Sequence, residues 1–526
     1  MKKILFYVCF ISFILTIWGC KKSLLDLPNK GAYTYDTYFA SDAVLNQAVI
    51  ATYSTLLHQG LWSREYYFIF DLLGYEAKND AALQGGLLSL SQYRFSADQG
   101  ELQQFWASLY RMTFRANVVI DRTNAWVPEN AIEVSHKKQY IAEAKFLKSY
   151  ANFNLVNCYG KVPLRISYNS TVANTYPSRT STAEIWNTIE QDLKDAIADL
   201  PVKYINTELG RATKGAAIAL LGKVYLYQKK WNEAQAQFTL LTKAPYTYTL
   251  APNYLDLFST QNQNNPETIF QVMNQEWKDW GIGNQYYMFG GQEAWGNKAT
   301  HSGRAQEYGF NDWKNVFVTT TAVKAFTYPN PLNGTIYKDP RAKFTFYGDA
   351  TSGGQTQYCQ ECPGGALPFN FAGSNGGYRW LKYQYYNKVA TYGGPQSGIN
   401  PQIIRFADIK LMLAETFIQQ GITSTVPLGL INDVRNRVGA VAYNSLGTQA
   451  DALKILMLER QLEFCGEQSR YFDLIRWGIA KQTINAERQI EDSTQPFQDK
   501  NVLLPIPLSE KEANPNVAKD IQNGWN

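Results

Sequence analysis

The 526-residue sequence predicts a mostly α fold: a scaffold of tetratricopeptide-like helical pairs, with a loop-rich, aromatic-rich insertion region that carries short strands. Three observations lead there. Apolar residues recur at steps of three and four in long stretches before residue 251 and after residue 400. Small and aromatic residues between 213 and 240 have the spacing of a helical hairpin. Between about 252 and 400 that periodicity gives way to Gly, Asn, Gln and aromatic residues, with short potential strands such as "ETIFQVM".

The amino terminus comes first. Lys2 and Lys3 precede an apolar run from Ile4 to Trp18. That run is shorter than the roughly 20 residues a membrane-spanning helix needs, so it reads as the apolar core of a secretory signal. Cys20 follows Gly19 and opens a polar stretch, "CKKSLLDLPNK", as in a bacterial lipoprotein signal whose cysteine is acylated. Residues 1–19 are then the signal and 20–35 a lipidated tether. An ordinary signal peptide or an uncleaved anchor is the alternative. With Lys2 and Lys3 removed the formal charge of +5 falls by two, a balance that argues against the concentrated basic face of a nucleic-acid binder.

Next come the helices of a region spanning 36–251. In "YIAEAKFLKSYANFNLVNCYGKVPL", Tyr140, Ala144, Leu147, Ala151 and Leu155 share one face, with Lys145 and Lys148 on the other. Gly160 is placed to end that helix in the left-handed conformation, and Pro163 keeps it from resuming. In "TKGAAIALLGKVYLYQKKWNEAQAQFTLL", Thr213 caps one helix, "QKKW" turns the chain, and Asn232 caps the next. Small Gly222 and Ala234 let the two helices approach, while Tyr225 and Phe238 fill the gap between them. "IKLMLAETFIQQG" with "LGLINDVRNRVGA" makes a similar hairpin in the second region, 252–526. Stacked helical pairs are the expected result.

Cysteine is sparse. Cys158 and Cys465 sit in helical patterns and read as small buried apolar residues. Cys359 and Cys362, in "CQECPGG", read as a local disulfide stapling a loop, since no second cysteine pair exists to complete a zinc site. No metal and no cofactor are expected. Enzyme signatures are missing too: there is no G-x-S-x-G elbow, P-loop or H-E-x-x-H. Arg460, Glu463, Arg470, Asp473 and Arg476 look catalytic as a group, but their helical spacing suits ion pairs to neighbouring helices; Arg405, Asp408 and Glu415 read the same way.

In order along the chain, "AEAKFLKSYANFNLVNCYGKVPL", "RATKGAAIALLGKVYLY", "ADIKLMLAETFIQQG", "INDVRNRVGA", "LERQLEFCGEQSRYFDLIRWG" and "LLPIPLSEKEANPNVAKDIQNGWN" resemble the SusD/RagB family, as does the lipoprotein start. The resemblance implies a lipoprotein of the outer membrane, facing the cell exterior, that binds a nutrient, most often a glycan. It implies delivery to a SusC-like TonB-dependent transporter, no chemistry of its own, and ligand contacts in the variable part of 252–400. The alternatives are a peptide-binding tetratricopeptide adaptor and a surface glycoside hydrolase, which needs only two suitably placed carboxylates.

A sugar ring offers C–H faces to Trp and Tyr, and hydroxyls to amides, carboxylates and guanidinium groups. Trp277, Trp280, Tyr286, Tyr287, Trp295, Tyr308 and Trp313 crowd a segment with no helical stripe to bury them. Trp62, Tyr66, Tyr67 and "YEAKNDAALQGG" form a second such stretch. Trp280 and Trp295 are the leading stacking residues, with Trp277, Tyr286 and Trp313 around them and Asn79, Asp80 and Arg94 as polar partners. The opening of the chain also generates a test. Cys20→Ser should abolish labelling by a metabolically supplied fatty acid and release the folded protein from membranes; undiminished label would remove the lipoprotein reading.

Overall fold

The computed structural model describes residues 35–79, 85–168, 175–259, 262–274, 304, 308, 315–348, 357–358, 367–368, 378–383, 399–491, 496–522 and 524–525. Within them the chain is mostly helical. Thirteen helices of seven or more residues run in order: α1 (Asp42–Tyr53), α2 (Glu65–Leu73), α3 (Gly85–Ser91), α4 (Gly100–Ala125), α5 (Ala131–Tyr159), α6 (Thr182–Asp199), α7 (Lys214–Tyr227), α8 (Trp231–Leu240), α9 (Phe406–Gln419), α10 (Thr425–Arg437), α11 (Gln449–Phe464), α12 (Arg470–Trp477) and α13 (Ala480–Glu491). Each of α4 to α10 packs on the next, so the two halves of the chain join where α8 meets α9. Among the described residues no helix is long and apolar enough to cross a membrane.

Local chemistry sets the helix ends. Asn130 accepts the amides of Ile132 and Glu133 at the start of α5, Ser181 caps α6, and Thr213 accepts the amide of Ala216 at the start of α7. Thr448 and Asp451 form a reciprocal capping box on α11. Two expectations need correction. Helix α8 begins at Trp231 with Lys230 at the cap position, so Asn232 lies inside its first turn; Lys229, at φ 60°, makes the turn and brings the helix in early. Gly160 does end α5 at φ 69°, but its ψ of −119° lies outside the left-handed helical region, and the chain leaves the helix in an extended direction.

The α7–α8 hairpin is closed by the contact its sequence suggests. A methyl group at Gly222 would stand 2.4 Å from Phe238 Cε1, so only hydrogen fits there. Helix α7 is buried on nearly all sides, covered by α6, α8 and α9. Cys158 and Cys465 are buried free thiols, and burial pushes both up in pKa.

Among the described residues there are five two-stranded antiparallel ribbons. They are β1 (Ala77–Lys78) with β3 (Phe317–Val318), β2 (Thr268–Gln271) with β10 (Gln402–Arg405), which leads straight into α9, β4 (Thr327–Pro329) with β5 (Ile336–Lys338), β6 (Phe346–Tyr347) with β9 (Arg379–Trp380), and β7 (Gln357–Tyr358) with β8 (Leu367–Pro368).

Charges fill the centre. Glu463 of α11 pairs with Arg341 at 3.0 Å, with Arg405 at 2.6 Å and with Arg437, while Glu459 takes Arg341 at 2.7 Å and Arg435 at 2.6 Å. Asp339 and Glu267 close the circuit, and all of these side chains are buried. Beside it Arg460 joins Asp408 at 2.9 Å and Asp473 at 2.7 Å, Lys223 reaches Asp408 at 3.1 Å, and Arg476 holds Glu415. The residues expected to orient helices do so.

Burial alone would raise the Glu463 carboxyl, but Arg437, Arg405 and Arg341 together outweigh it and hold the group well below the usual carboxylate range. A depressed carboxylate contributes stability that is complete above its unfolded pKa and lost as pH falls, so Glu463 should sensitise the fold to acid below about pH 4.3. At neutral pH Glu463→Ala should cost about 3–5 kcal/mol by leaving buried arginines uncompensated, measured by chemical denaturation. Gly222→Val should cost about 1–3 kcal/mol and lower the melting temperature by a few degrees; an unchanged melting temperature would disprove the close packing inferred for α7 and α8.

Candidate ligand-binding site

Helix α2 is buried along its whole length, because it threads between α4 and the turn before α12. It takes the first aromatic stretch into the core. Trp62 donates its indole N–H to Tyr150 Oη at 2.8 Å and its ring lies 4.3 Å from Tyr66, while Tyr67 donates to the Ser63 carbonyl at 3.0 Å. Trp62 and Tyr66 line a recess of about 70 Å³, well below the roughly 300–1,000 Å³ of small-ligand clefts. These three aromatics are therefore core residues.

After α2 the chain turns at Tyr75 (φ 57°) into β1. Strand β3 meets it with Ala77 opposite Val318 and Lys78 opposite Phe317. Thr319 completes the tie by donating its hydroxyl to the Tyr75 carbonyl at 2.9 Å. Asn79 donates its side-chain amide to the Asn315 carbonyl at 2.5 Å, and its backbone N–H donates to Ser91 Oγ at 3.2 Å. Two segments 236 residues apart in sequence are thus joined at their roots. The chain enters the 80–84 stretch at Asn79 and leaves the 309–314 stretch at Asn315.

A second tie lies inside the aromatic-rich segment. Arg304 is 4 % exposed, and its guanidinium sits over Tyr383 at 4.2 Å and Tyr308 at 4.9 Å. It donates to Asp71 at 3.2 Å and to the Gly466 carbonyl at 2.5 Å. Tyr308 is fully buried, stacks on Phe68 at 5.9 Å and donates its hydroxyl to Asp71 at 2.8 Å. The sequence places Tyr308 among aromatics with no helical stripe to bury them, but it packs against Phe68 and Asp71 of α2 and is buried there. Burial raises the Asp71 carboxyl, against the opposing pull of Arg304.

The base of this region is the turn between α11 and α12. Gly466 donates its N–H to Glu76 at 2.9 Å, Gln468 donates to Asp71, and Glu467 receives Lys382 at 2.9 Å and Arg405 at 2.8 Å. Burial pushes the Glu76 carboxyl up to about 8, ahead of the opposing Arg470. Gly466 holds φ 75°, and a methyl there would strike Trp380 at 2.6 Å. Asp71, Glu467 and one oxygen of Glu76 are thus engaged in holding the base of the site together.

Of the sequence-predicted residues, Asn79 is buried at the first tie, and Arg94 is exposed, three residues past Ser91, after Tyr93 has donated its hydroxyl to the Leu73 carbonyl at 2.7 Å. Asp80, Trp277, Trp280, Tyr286, Tyr287, Trp295 and Trp313 lie outside the described residues, as do Cys20, Cys359 and Cys362. Sequence reasoning missed Arg304 and Arg341. Arg304 carried one signal, a cation four residues before a tyrosine in a stretch otherwise rich in neutral residues. Among the described residues no group of three or more His, Cys, Asp or Glu side chains is placed to hold a metal ion.

Comparison with known proteins bears on this architecture. The model of the SusD family matches residues 244–525, and a model described as "Starch-binding associating with outer membrane" matches residues 27–226. SusD-like protein P25 of Formosa agariphila is 23 % identical over 97 % of this chain and 96 % of its own length. The crystal structure of a SusD superfamily protein from Bacteroides vulgatus superposes with a TM-score of 0.73 at 24 % identity, covering 91 % of this chain and 99 % of the other. A laminarin-binding SusD-like protein superposes with a TM-score of 0.69 at 23 % identity, covering 93 % of this chain and 100 % of its own. The SusD model alone covers more than half of the sequence, and the chain belongs to the SusD family.

Proposed function

We propose that this chain is a surface binder that captures a glycan and passes it to a SusC-like TonB-dependent transporter in the outer membrane. The acylated Cys20 holds it there, facing the exterior, and the chain performs no chemistry of its own. Family membership supports the reading, as do the starch-binding description of the model over 27–226 and the laminarin-binding neighbour of the same fold. The observation that carries it is the β1–β3 tie. It roots the polar stretch after Asn79 and the aromatic-rich segment before Asn315 at one place, so rings from one and amides and carboxylates from the other can serve one ligand.

In this reading Trp280 and Trp295 stack on sugar rings, with Trp277, Tyr286 and Trp313 around them and Asp80 and Arg94 at the hydroxyls. Asn79 acts mainly as the hinge pin of the loop. Calorimetry with maltohexaose, laminarihexaose and xylohexaose tests it. Trp280→Ala and Trp295→Ala should each weaken binding of the preferred sugar roughly tenfold with little change in melting temperature. If the two are core residues instead, each truncation should cost about 3–5 kcal/mol of folding stability, and the site would lie elsewhere.

A further inference from the structure

A second surface has the composition of a sugar site. Helix α4 carries Trp106, Tyr110 and Phe114 at four-residue steps, which puts them on one face about 6 Å apart along the axis. All three line a groove of about 700 Å³. Trp106 is 5 % exposed and backs Tyr110, their ring centroids 4.7 Å apart. The Tyr110 hydroxyl donates to the Pro163 carbonyl at 2.8 Å, which fixes that ring against the segment forming more of the lining. Asn117, one turn further on, donates its amide to the Arg165 carbonyl at 2.9 Å and holds the same segment in place. Phe114 is 47 % exposed, so a large aromatic face stands in the open at the end of the row.

The rest of the lining mixes apolar Pro163, Leu164 and Ile166 with polar groups from separate parts of the chain: Arg165 and Ser167 from the segment after α5, Ser509 and Glu510 from near the carboxyl terminus. One cation and one anion balance, which suits a neutral ligand better than an anionic one. The volume falls within the roughly 300–1,000 Å³ of small-ligand clefts, whereas a protein partner wants a broader face. An aromatic floor with guanidinium, carboxylate and hydroxyl groups in its lining is the arrangement that takes a sugar's C–H face and ring-edge hydroxyls together.

We infer that this groove is a second glycan-binding site, holding on the order of two or three units of a neutral glycan along the α4 row. The inference rests on the reading of the chain as a glycan binder, and it adds a contact separate from the site rooted at Asn79 and Asn315. Two contacts on one chain raise the residence time of a polymer without tightening either contact, because the second binds at the effective concentration set by the first.

The test uses the mature full-length protein and the same three hexasaccharides. The Trp280→Ala/Trp295→Ala variant should keep a weak saturable event for at least one sugar. Adding Phe114→Ala should weaken that event roughly tenfold with little change in melting temperature, and Phe114→Trp should strengthen it. A residual event indifferent to both changes at Phe114, or loss of all binding in the double tryptophan variant, would overturn the groove and leave the proposed function standing. Failure of the wild-type protein to bind any of the three sugars would overturn both.

Discussion

Two glutamates on one helix hold this molecule's parts in register. Glu459 and Glu463 are one turn apart on α11, and the four arginines they gather come from the segment after β5 (Ile336–Lys338), from the end of β10 and from the last turn of α10. Moving any one of these elements by a few ångströms would strand a buried charge, at a cost far above that of slipping one apolar side chain past another. Apolar contacts between stacked helical pairs tolerate sliding; a bidentate guanidinium does not. The hydrophobic core supplies the bulk of the folding free energy, and the ion circuit penalises arrangements that leave one of its charges unpaired.

The circuit also reaches the ties around Asn79 and Arg304. Arg405 touches Glu463 on one side and Glu467 on the other; Glu467 holds Lys382, and the adjoining Gly466 and Gln468 hold Glu76 and Asp71 at the end of α2. From Asp71 the chain of contacts continues to Arg304 and Tyr308. The segment carrying Arg304 and Tyr308 is thus seated on the helical scaffold by buried hydrogen bonds. A binding loop anchored this way loses less conformational freedom when it meets its ligand.

Much of the scaffold was legible because its signals are local. A glycine and a phenylalanine sixteen residues apart, with a turn between, announce a close helical hairpin, and Gly222 and Phe238 meet as that spacing implies. The charges of 460–476 read correctly as structural from their helical spacing. Arg341 did not declare itself, because its partners Glu459 and Glu463 lie 118 and 122 residues away and no periodicity links them. Site aromatics were harder still. Composition groups Trp62, Tyr66, Tyr67 and Tyr308 with the candidate site aromatics, yet all four are buried in the core around α2. Whether an aromatic faces ligand or core depends on where its element sits, and that is a tertiary fact.

Arg304 and Tyr308 divide the long excursion between Asn274 and Asn315 into unequal spans, residues 275–303 and 309–314, with the rivet between them. Length changes in the first span are then insulated from the second. The chain-entropy cost of lengthening a closed loop grows only with the logarithm of its length, about 0.6 kcal/mol per doubling, so residues could be added there cheaply. The exit strand beside Asn79 would not move, because the rivet and not the loop determines where it begins. If Trp280 and Trp295 stack on the ligand as proposed, such a molecule could change what it recognises by rewriting one span, as a tool changes its bit while keeping its chuck.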